Sequence, residues 1–155
     1  MIAISTSDAV LVANKNEIEN VKKAVSLLKS KNIPQAEFFP IEYRPWGWFE
    51  ILVASDTFKV KRILVKPGEA LSLQTHKYRS EHWIVVEGTA KVTIDDKVKF
   101  IGRGESVFVA LGSLHRMENL ENVPMVLIEV QTGTYLGEDD IIRYDDRYSR
   151  QTNKL

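Results

Sequence analysis

The sequence predicts a mainly β protein, a small barrel or sandwich, preceded by a short β-α segment. Eight short segments rich in β-branched and aromatic residues follow one another from Trp48 to Gln131. Turn-forming Gly, Pro, Asn and Asp residues separate them, which is typical of consecutive short strands rather than alternating strands and helices. The expected strands cover residues 48–54, 58–65, 70–74, 82–87, 90–94, 97–101, 106–109 and 125–131.

Length and composition indicate one globular domain with a short additional segment. The chain has 155 residues, 44% hydrophobic and 27% charged, so it can bury a core. Basic and acidic residues number 21 each, which argues against a general nucleic-acid or membrane-surface partner. Because there is no cysteine, disulfides and thiolate metal sites are excluded. No signal-like or membrane-spanning apolar run is present, and we expect a cytoplasmic protein.

The N-terminal part divides into an appendage and a linker. Residues 1–35 carry two short β-rich runs and a helix predicted over residues 16–31, with Asn16 as its N-cap. This β-α appendage is too small for a core of its own, so it must pack against other structure. Residues 36–47 are predicted to be a proline-containing linker, and residues 48–155 the main domain, whose tail we expect to form a loop and a short helix.

Two glycine-bounded motifs contain all three histidines of the chain. The first reads GEALSLQTHKYRSEHWIVVEG and the second GESVFVALGSLHRMEN. Side chains two apart in a strand point to the same face, so Ser72, Gln74 and His76 are expected on one face. Arg79 and Glu81 share a face by the same rule. The spacing therefore predicts a cluster of polar side chains on one side of a sheet.

A curled sheet could bring side chains from both motifs around one ion. The nitrogens of His76 and His115, the carboxylate of Glu81 and the amide oxygen of Gln74 suit a divalent transition ion, above all Zn²⁺. Without thiolates, an open catalytic site is favoured over a closed structural one. His82 has the opposite strand parity from Glu81, and we interpret it as structural.

Other conspicuous residues receive structural interpretations. The tryptophans are expected to pack in the core or a lid: Trp46, Trp48 and Trp83. The acidic pairs at residues 139–140 and 145–146 are expected in a solvated loop rather than at a second metal site. No phosphate-cradling loop is predicted, because no helix with a lysine follows the glycines at 102–104.

The paired motifs resemble those of the cupin barrels. Further stretches, RPWGWFEIL, VKRILVKPGEALSLQTHKYRSEHWIVVEGTAKV and IEVQTGTYLGEDDIIRYDDRYSR, resemble the C-terminal cupin domain of bifunctional type II mannose-6-phosphate isomerase/mannose-1-phosphate guanylyltransferases. This resemblance covers residues 41–150. Residues 3–31 look like the closing strand and helix of the guanylyltransferase domain. That domain's GxGxRLxP signature is absent, so guanylyl transfer is not expected from this chain alone.

The resemblance implies a cupin (double-stranded β-helix or jelly-roll) barrel that interconverts mannose 6-phosphate and fructose 6-phosphate with bound Zn²⁺. A similar Gln-x-His order in the type I isomerases implies Gln74, His76, Glu81 and His115 as the metal ligands. Gln74 stands where many other cupins have their first histidine. This favours the isomerase branch over the iron-dependent dioxygenases. The expected metal is Zn²⁺, with another divalent transition metal as the alternative.

The resemblance also implies residues that handle the sugar phosphate. Arg79 and Arg143 match charged residues lining that site in the type I enzymes, and Lys61 and Ser72 match a lysine and a serine ahead of the Gln-x-His. We expect Arg79 and Arg143 to stabilise charge or bind phosphate and hydroxyl groups, since arginine rarely loses its proton. Lys61 is expected to bind phosphate or transfer protons. The catalytic base stays open between a zinc-bound water, His82 and Lys61.

Partners and alternatives follow from the same resemblance. It implies a homodimer acting on a sugar phosphate in mannose, GDP-mannose and polysaccharide precursor metabolism, with a separate guanylyltransferase chain as a further partner. The alternative function is a non-catalytic cupin, a fragment of or partner to such a guanylyltransferase. Metal analysis combined with an isomerase assay separates these functions.

Overall fold

The structure, a computed structural model, describes residues 1–6, 9–36 and 39–150. The chain forms two compact units, Met1–Pro40 and Ile41–Leu155. The predicted linker at residues 36–47 is therefore wrong in its second half. Residues from Ile41 onward already belong to a sheet of the second unit, because their backbone pairs antiparallel with the next strand.

The first unit is a β-hairpin followed by helical turns. Its elements are β1 (Ile2–Ser5), β2 (Val10–Ala13), a 3₁₀ helix (Lys15–Asn20), α1 (Val21–Ser30) and a 3₁₀ turn (Pro34–Ala36). The predicted helix is present, but it begins as a 3₁₀ segment. Asn14, not Asn16, is its N-cap, and the Asn14 side chain accepts a hydrogen bond from the Asn16 N–H. No helix among the described residues has the length and apolar character needed to cross a membrane.

The second unit consists of two antiparallel sheets, and the prediction of a mainly β protein is confirmed. Its strands are β3 (Ile41–Arg44), β4 (Gly47–Ala54), β5 (Phe58–Val65), β6 (Leu73–His76), β7 (Arg79–Glu87), β8 (Ala90–Ile94), β9 (Lys97–Ile101), β10 (Ser106–Val109), β11 (His115–Glu118), β12 (Met125–Gly133) and β13 (Ile141–Asp145). One sheet has the order β10-β7-β12-β5-β4-β3 and the other β13-β6-β11-β8-β9.

Three of these strands were not predicted: β3, which lies in the expected linker, β11 and β13. β11 reads HRME and β13 reads IIRYD, and neither shows the apolar alternation of a half-buried strand. They are strands because their backbones pair with neighbouring strands, whatever their composition. β11 lies between β6 and β8, and β13 lies beside β6. The tail is therefore a 3₁₀ turn (Glu138–Asp140) and a strand rather than a loop with a helix.

The core lies between the two sheets and becomes polar towards one end. Its buried hydrophobic side chains come from both sheets: Trp46, Phe49, Ile63, Val65, Trp83, Val85, Ala90, Val92, Ile101, Val109, Met117, Met125 and Leu127. Along the buried face of β12, Met125 and Leu127 belong to this core, whereas Glu129 and Gln131 are buried polar residues. Because alternate side chains of a strand share one face, the hydrophobic core and the polar site lie next to each other on the buried face of β12.

Candidate metal centre

Three of the predicted ligands come together between the sheets. His76 ends β6, Glu81 lies on β7 and His115 begins β11, and all three side chains are buried. Their ligand atoms lie within 4.8 Å of one another. His76 Nε2 is 3.1 Å from Glu81 Oε1, and His115 Nε2 is 3.8 Å from Glu81 Oε2. Two imidazoles and one carboxylate converging on one point are a donor set suited to a divalent transition ion.

His115 is held in the form that a metal requires. Its Nδ1 lies 2.8 Å from the carbonyl oxygen of Ser113, and because a carbonyl only accepts, Nδ1 carries the proton. The lone pair is then on Nε2, which is buried and has no hydrogen-bond partner among the described residues. Burial lowers the pKa of His115 and outweighs the opposing effect of the Glu81 charge, so the ring stays neutral. An unpartnered buried nitrogen beside a carboxylate fits a metal ligand.

Glu81 is ionised in spite of its burial. Desolvation alone would raise its pKa, but the hydrogen bond with His76 and the positive charge of Arg79 hold the pKa of Glu81 well below its usual range. Arg79 Nε and Gln131 Nε2 donate to Oε1 at 3.2 and 3.0 Å, and Trp83 Nε1 donates to Oε2 at 3.1 Å. These donors orient the carboxylate towards the histidines.

Gln74 borders the cluster through its amide nitrogen. Ser72 Oγ donates to Gln74 Oε1 at 2.8 Å, and Gln74 Nε2 lies 3.4 Å from His76 Nε2. Metal coordination by the amide oxygen requires the flipped amide, in which the Ser72 hydroxyl accepts instead of donates. Gln74 is thus adjacent to the other three residues, and its role as a ligand stays a prediction.

A cleft of about 440 Å³, including the solvent space at its open side, lies next to the cluster. Its wall contains six of the residues singled out from the sequence: Lys61, Ser72, Gln74, Arg79, Glu81 and Arg143. The remaining lining is formed by Arg44, Trp46, Phe49, Ile63, Leu71, Glu129, Gln131, Glu138, Ile141 and Arg150. Among these described residues, cationic side chains outnumber carboxyl groups, so the cleft favours an anionic ligand.

Lys61 is buried between two carboxyl groups. Its Nζ lies 2.6 Å from Glu138 Oε1 and 3.8 Å from Glu129 Oε1. Burial alone would lower the pKa of Lys61, but the charges of Glu129 and Glu138 raise it above the usual range. These carboxyl groups favour the ammonium form of Lys61, and its role in binding phosphate or transferring protons stays a prediction.

Arg79 is also buried, and its Nε and Nη1 have partners in the protein. Besides its bond to Glu81, Nη1 donates to the carbonyl oxygen of Gly137 at 2.7 Å and lies 3.8 Å from Asp140 Oδ2. Asp140 is buried and accepts the backbone N–H groups of Lys77 and Tyr78. The expectation of a solvated loop at residues 139–140 is therefore wrong for Asp140, which braces the turn between β6 and β7.

His82 and Asn119 have structural positions. His82 is exposed, its Nε2 lies 3.4 Å from Ser106 Oγ, and it does not line the cleft, so its position does not support a role as the base. Asn119, the last residue of the second motif, is buried and donates to the carbonyl oxygens of Val65, Lys66 and Val123. It ties the end of β5 to the loop between β11 and β12.

Sequence reasoning missed Glu129, Gln131 and Glu138. Glu129 accepts hydrogen bonds from Trp83 Nε1 at 3.1 Å and Gln131 Nε2 at 2.8 Å. Burial and the charge of Glu81 raise the pKa of Glu129 to about 8. The signal was present, because Glu129 and Gln131 continue the alternation that buries Met125 and Leu127.

The two facing antiparallel sheets and the His–Glu–His cluster between them define the chain as a cupin, a double-stranded β-helix protein. It is similar in fold to an RmlC-like cupin from Shewanella frigidimarina, with a TM-score of 0.57 and 24% identity, covering 64% of this chain and 86% of that one. It is also similar to an oxalate decarboxylase from Lactobacillus farciminis, with a TM-score of 0.59 and 18% identity, covering 66% of this chain and 32% of that one. At these identities the likeness concerns the fold alone.

The chain belongs to the family described as mannose-6-phosphate isomerase C-terminal, which matches residues 31–146. It is 47% identical over 150 residues to mannose-1-phosphate guanylyltransferase from Escherichia coli K12, covering 97% of this chain and 31% of that protein. It is equally similar, at 47% over 150 residues, to the xanthan biosynthesis protein XanB from Xanthomonas campestris, covering 97% of this chain and 32% of XanB. The chain thus spans less than a third of the length of these relatives, and the resemblance inferred from the sequence is confirmed.

Proposed function

We propose that this chain interconverts mannose 6-phosphate and fructose 6-phosphate with a bound Zn²⁺ ion. The observation that carries the proposal is the buried His76–Glu81–His115 cluster beside a cation-rich cleft, in a chain of the mannose-6-phosphate isomerase family. The names of the guanylyltransferase and xanthan relatives support a place in the supply of mannose phosphates for nucleotide-sugar and polysaccharide synthesis.

The residues that would hold the ion are His76, Glu81 and His115, with Gln74 as the fourth ligand after its amide flip. Nitrogen and oxygen donors without thiolate suit Zn²⁺ in an open site. A bound Zn²⁺ ion would act as a Lewis acid that stabilises negative charge developing on the substrate oxygens. The unpartnered Nε2 of His115 and the ionised Glu81 are the two features of the chain that support this loading.

The remaining side chains of the cleft have separate tasks in an aldose–ketose isomerisation. Arg79 orients Glu81 through its Nε, and its second bond to the Gly137 carbonyl fixes the guanidinium. Lys61 holds a fixed positive charge at the cleft wall, since its carboxyl neighbours keep it protonated. A preorganised cation of this kind stabilises an enediolate without moving a proton.

The proton that moves between C1 and C2 needs a group that can both accept and release it. The arginines and Lys61 stay protonated, and Glu81 is held ionised by His76 and Arg79. Glu138 is also held ionised, because the charge of Lys61 outweighs the effect of burial and lowers the pKa of Glu138. Among the described titratable groups of the cleft, this leaves Glu129, whose raised pKa matches a proton-transfer role near neutral pH. We assign Glu129 as the acid–base group.

A coupled assay from mannose 6-phosphate to fructose 6-phosphate, with metal analysis on the same sample, tests the function. The variant His115→Ala should lose both metal and isomerisation, because it removes a buried ligand. His82→Ala is the matched control, since His82 is exposed and outside the cleft; it should keep both.

Each other outcome identifies a different function. Full isomerisation by metal-free protein would contradict the metal-dependent mechanism. Stoichiometric iron with oxygen uptake would identify a dioxygenase. Stoichiometric metal without either reaction would identify a non-catalytic cupin, which acts as a fragment of or partner to a guanylyltransferase.

A further inference from the structure

We propose that the phosphate group of the ligand binds on three arginines at the open side of the cleft, Arg44, Arg143 and Arg150, rather than on Lys61 and Arg79. These three residues are called the outer arginines below. The inference deepens the proposed function, because it names the part of the site that recognises a phosphate monoester. It also moves this task away from two residues to which the family resemblance assigned substrate binding.

Lys61 and Arg79, the inner cations, are buried and already paired with carboxylates of the protein. Lys61 and Arg79 are 4% and 2% exposed, and each lies against carboxylates. Lys61 contacts Glu138 and Glu129, and Arg79 contacts Glu81 and Asp140. A phosphate could reach them only by breaking buried ion pairs, which leaves carboxylates uncompensated at a high cost.

The outer arginines come from three separate segments and meet at one cleft. Arg44 ends β3, Arg143 lies on β13 and Arg150 follows in the tail, and all three line the cleft. Each is only partly buried, so its guanidinium can reach a ligand from solvent. Burial and the neighbouring charges of Arg150 and Arg44 lower the pKa of Arg143, against the opposing charges of Asp146 and Glu138, so the three guanidinium groups are close enough to affect one another.

Local contacts hold these guanidinium groups in place. Arg150 binds Asp146 through Nε and Nη2 at 2.8 and 2.7 Å, an ion pair that does not use Nη1. Arg44 is paired with Glu42 through Nη2 at 2.5 Å and donates to the Tyr43 carbonyl oxygen through Nη1 at 3.3 Å. Its guanidinium carbon lies 5.2 Å from the centre of the Phe49 ring, and Lys61 Nζ lies 4.5 Å from the same ring. Arg44 and the inner cation Lys61 therefore both contact the ring of Phe49. Preorganised guanidinium forks suit the oxygens of a phosphate.

The strand register connects the outer arginines with the metal cluster. Arg143 is directly opposite Gln74 in the β13–β6 pair, so the two side chains project from the same face. Gln74 in turn borders His76. A ligand held by its phosphate at the arginines would extend along this face towards the ligand set. The arrangement suits a short polar molecule with a phosphate at one end, which describes a sugar phosphate.

Binding of mannose 6-phosphate and of inorganic phosphate, measured by isothermal titration calorimetry on the full chain, tests the proposal. Arg44→Gln and Arg150→Gln should each weaken mannose 6-phosphate binding about 10-fold or more, because each removes charge-assisted hydrogen bonds. Arg44→Lys and Arg150→Lys keep the charge and should show smaller losses. Arg62→Gln is the matched control, since Arg62 is an exposed arginine paired with Glu50 outside the cleft. Metal content should stay unchanged in all of them. Thermal unfolding is measured alongside, because replacing Arg150 also removes the partner of the Asp146 carboxylate, whose side chain is only 6% exposed.

The outcomes separate this inference from the proposed function. Binding without conversion to fructose 6-phosphate would overturn the isomerase function and leave the phosphate site supported. Wild-type affinity in both outer-arginine variants would overturn the phosphate site, as would an equal loss in Arg62→Gln. A wild-type chain that binds neither mannose 6-phosphate nor inorganic phosphate would overturn it too.

Discussion

The carboxyl groups of Glu81 and Glu129 lie side by side and share two hydrogen-bond donors. Trp83 Nε1 is 3.1 Å from an oxygen of each, and Gln131 Nε2 is 3.0 Å from Glu81 and 2.8 Å from Glu129. Two ionised carboxylates at this separation would repel, so the environment gives them different protonation states. His76 and Arg79 keep Glu81 ionised, while burial and Glu81 raise the pKa of Glu129 to about 8.

Replacing Glu129 by glutamine should separate proton transfer from metal binding. The amide keeps the shape of the side chain but cannot accept and return a proton, so kcat should fall about 100-fold or more. Metal content should remain that of the wild type, because Glu129 is not among the clustered ligand residues. Steady-state kinetics and metal analysis on the same sample measure both effects.

Glu87→Gln is the control for this variant. Glu87 is an exposed carboxylate at the end of β7, outside the cleft, and its replacement should leave kcat and metal content unchanged. Unchanged kcat in Glu129→Gln would remove Glu129 from the mechanism. Simultaneous loss of metal would show instead that Glu129 supports the ligand set.

Glu129 should also make the stability of the metal-free chain depend on pH. Its pKa is about 8 in the folded state against an ordinary value of 4.5, so between these values the folded state binds one proton more than the unfolded state. The free energy of unfolding contributed by this group therefore falls as pH rises through that range, by at most about 1.4 kcal/mol per pH unit. Urea unfolding of wild type and Glu129→Gln from pH 5 to 8 should show the wild type losing stability relative to the variant. A constant difference between them would contradict the raised pKa.

Asn119 should contribute to stability rather than to activity. Asn119→Ala leaves the carbonyl groups of Val65, Lys66 and Val123 without their shared donor, which should cost about 3 kcal/mol. The midpoint of urea unfolding measures the loss. Asn122→Ala, at an exposed position three residues later, should change it little. Equal midpoints for the two variants would show that Asn119 does not brace these loops.

The sequence was sufficient to predict the parts of the structure that depend on strand periodicity. The shared faces of Ser72, Gln74 and His76, and of Arg79 and Glu81, are both present as buried positions. Periodicity assigns a face but not a neighbour, so it could not show that Glu129 and Gln131 lie opposite Trp83 and Glu81. That proximity depends on the β12–β7 register, which is set by pairing between strands distant in sequence.

The charge environment was likewise beyond sequence reasoning. Sequence spacing could not identify the carboxyl partners of Lys61, so the sequence alone leaves Lys61 as a candidate for proton transfer or phosphate binding. Glu138, in a stretch that looks solvated, lies within 2.6 Å of its Nζ. The position of His82 depends on the fold in the same way. Strand alternation correctly places His82 on the opposite face from Glu81, but only the fold shows that His82 is exposed and outside the cleft. Ion-pair partners and solvent access are properties of tertiary packing, not of local sequence.

Gly133 should be required for Arg79 to take the position in which it donates a hydrogen bond to Glu81. It pairs with Arg79 across β12 and β7, and a Cβ atom there would lie 2.2 Å from the Tyr78 carbonyl oxygen and 2.8 Å from Arg79 Cα. Gly133→Ala must therefore push the strands apart, which should cost about 2 kcal/mol and weaken metal binding through the displaced Arg79. Gly102→Ala is the control, because its Cβ would meet only Glu105 Oε2, at an ordinary 3.6 Å. Thermal unfolding and metal affinity of the two variants test the relationship; an unaltered metal affinity in Gly133→Ala would show that the position of Arg79 does not control Glu81.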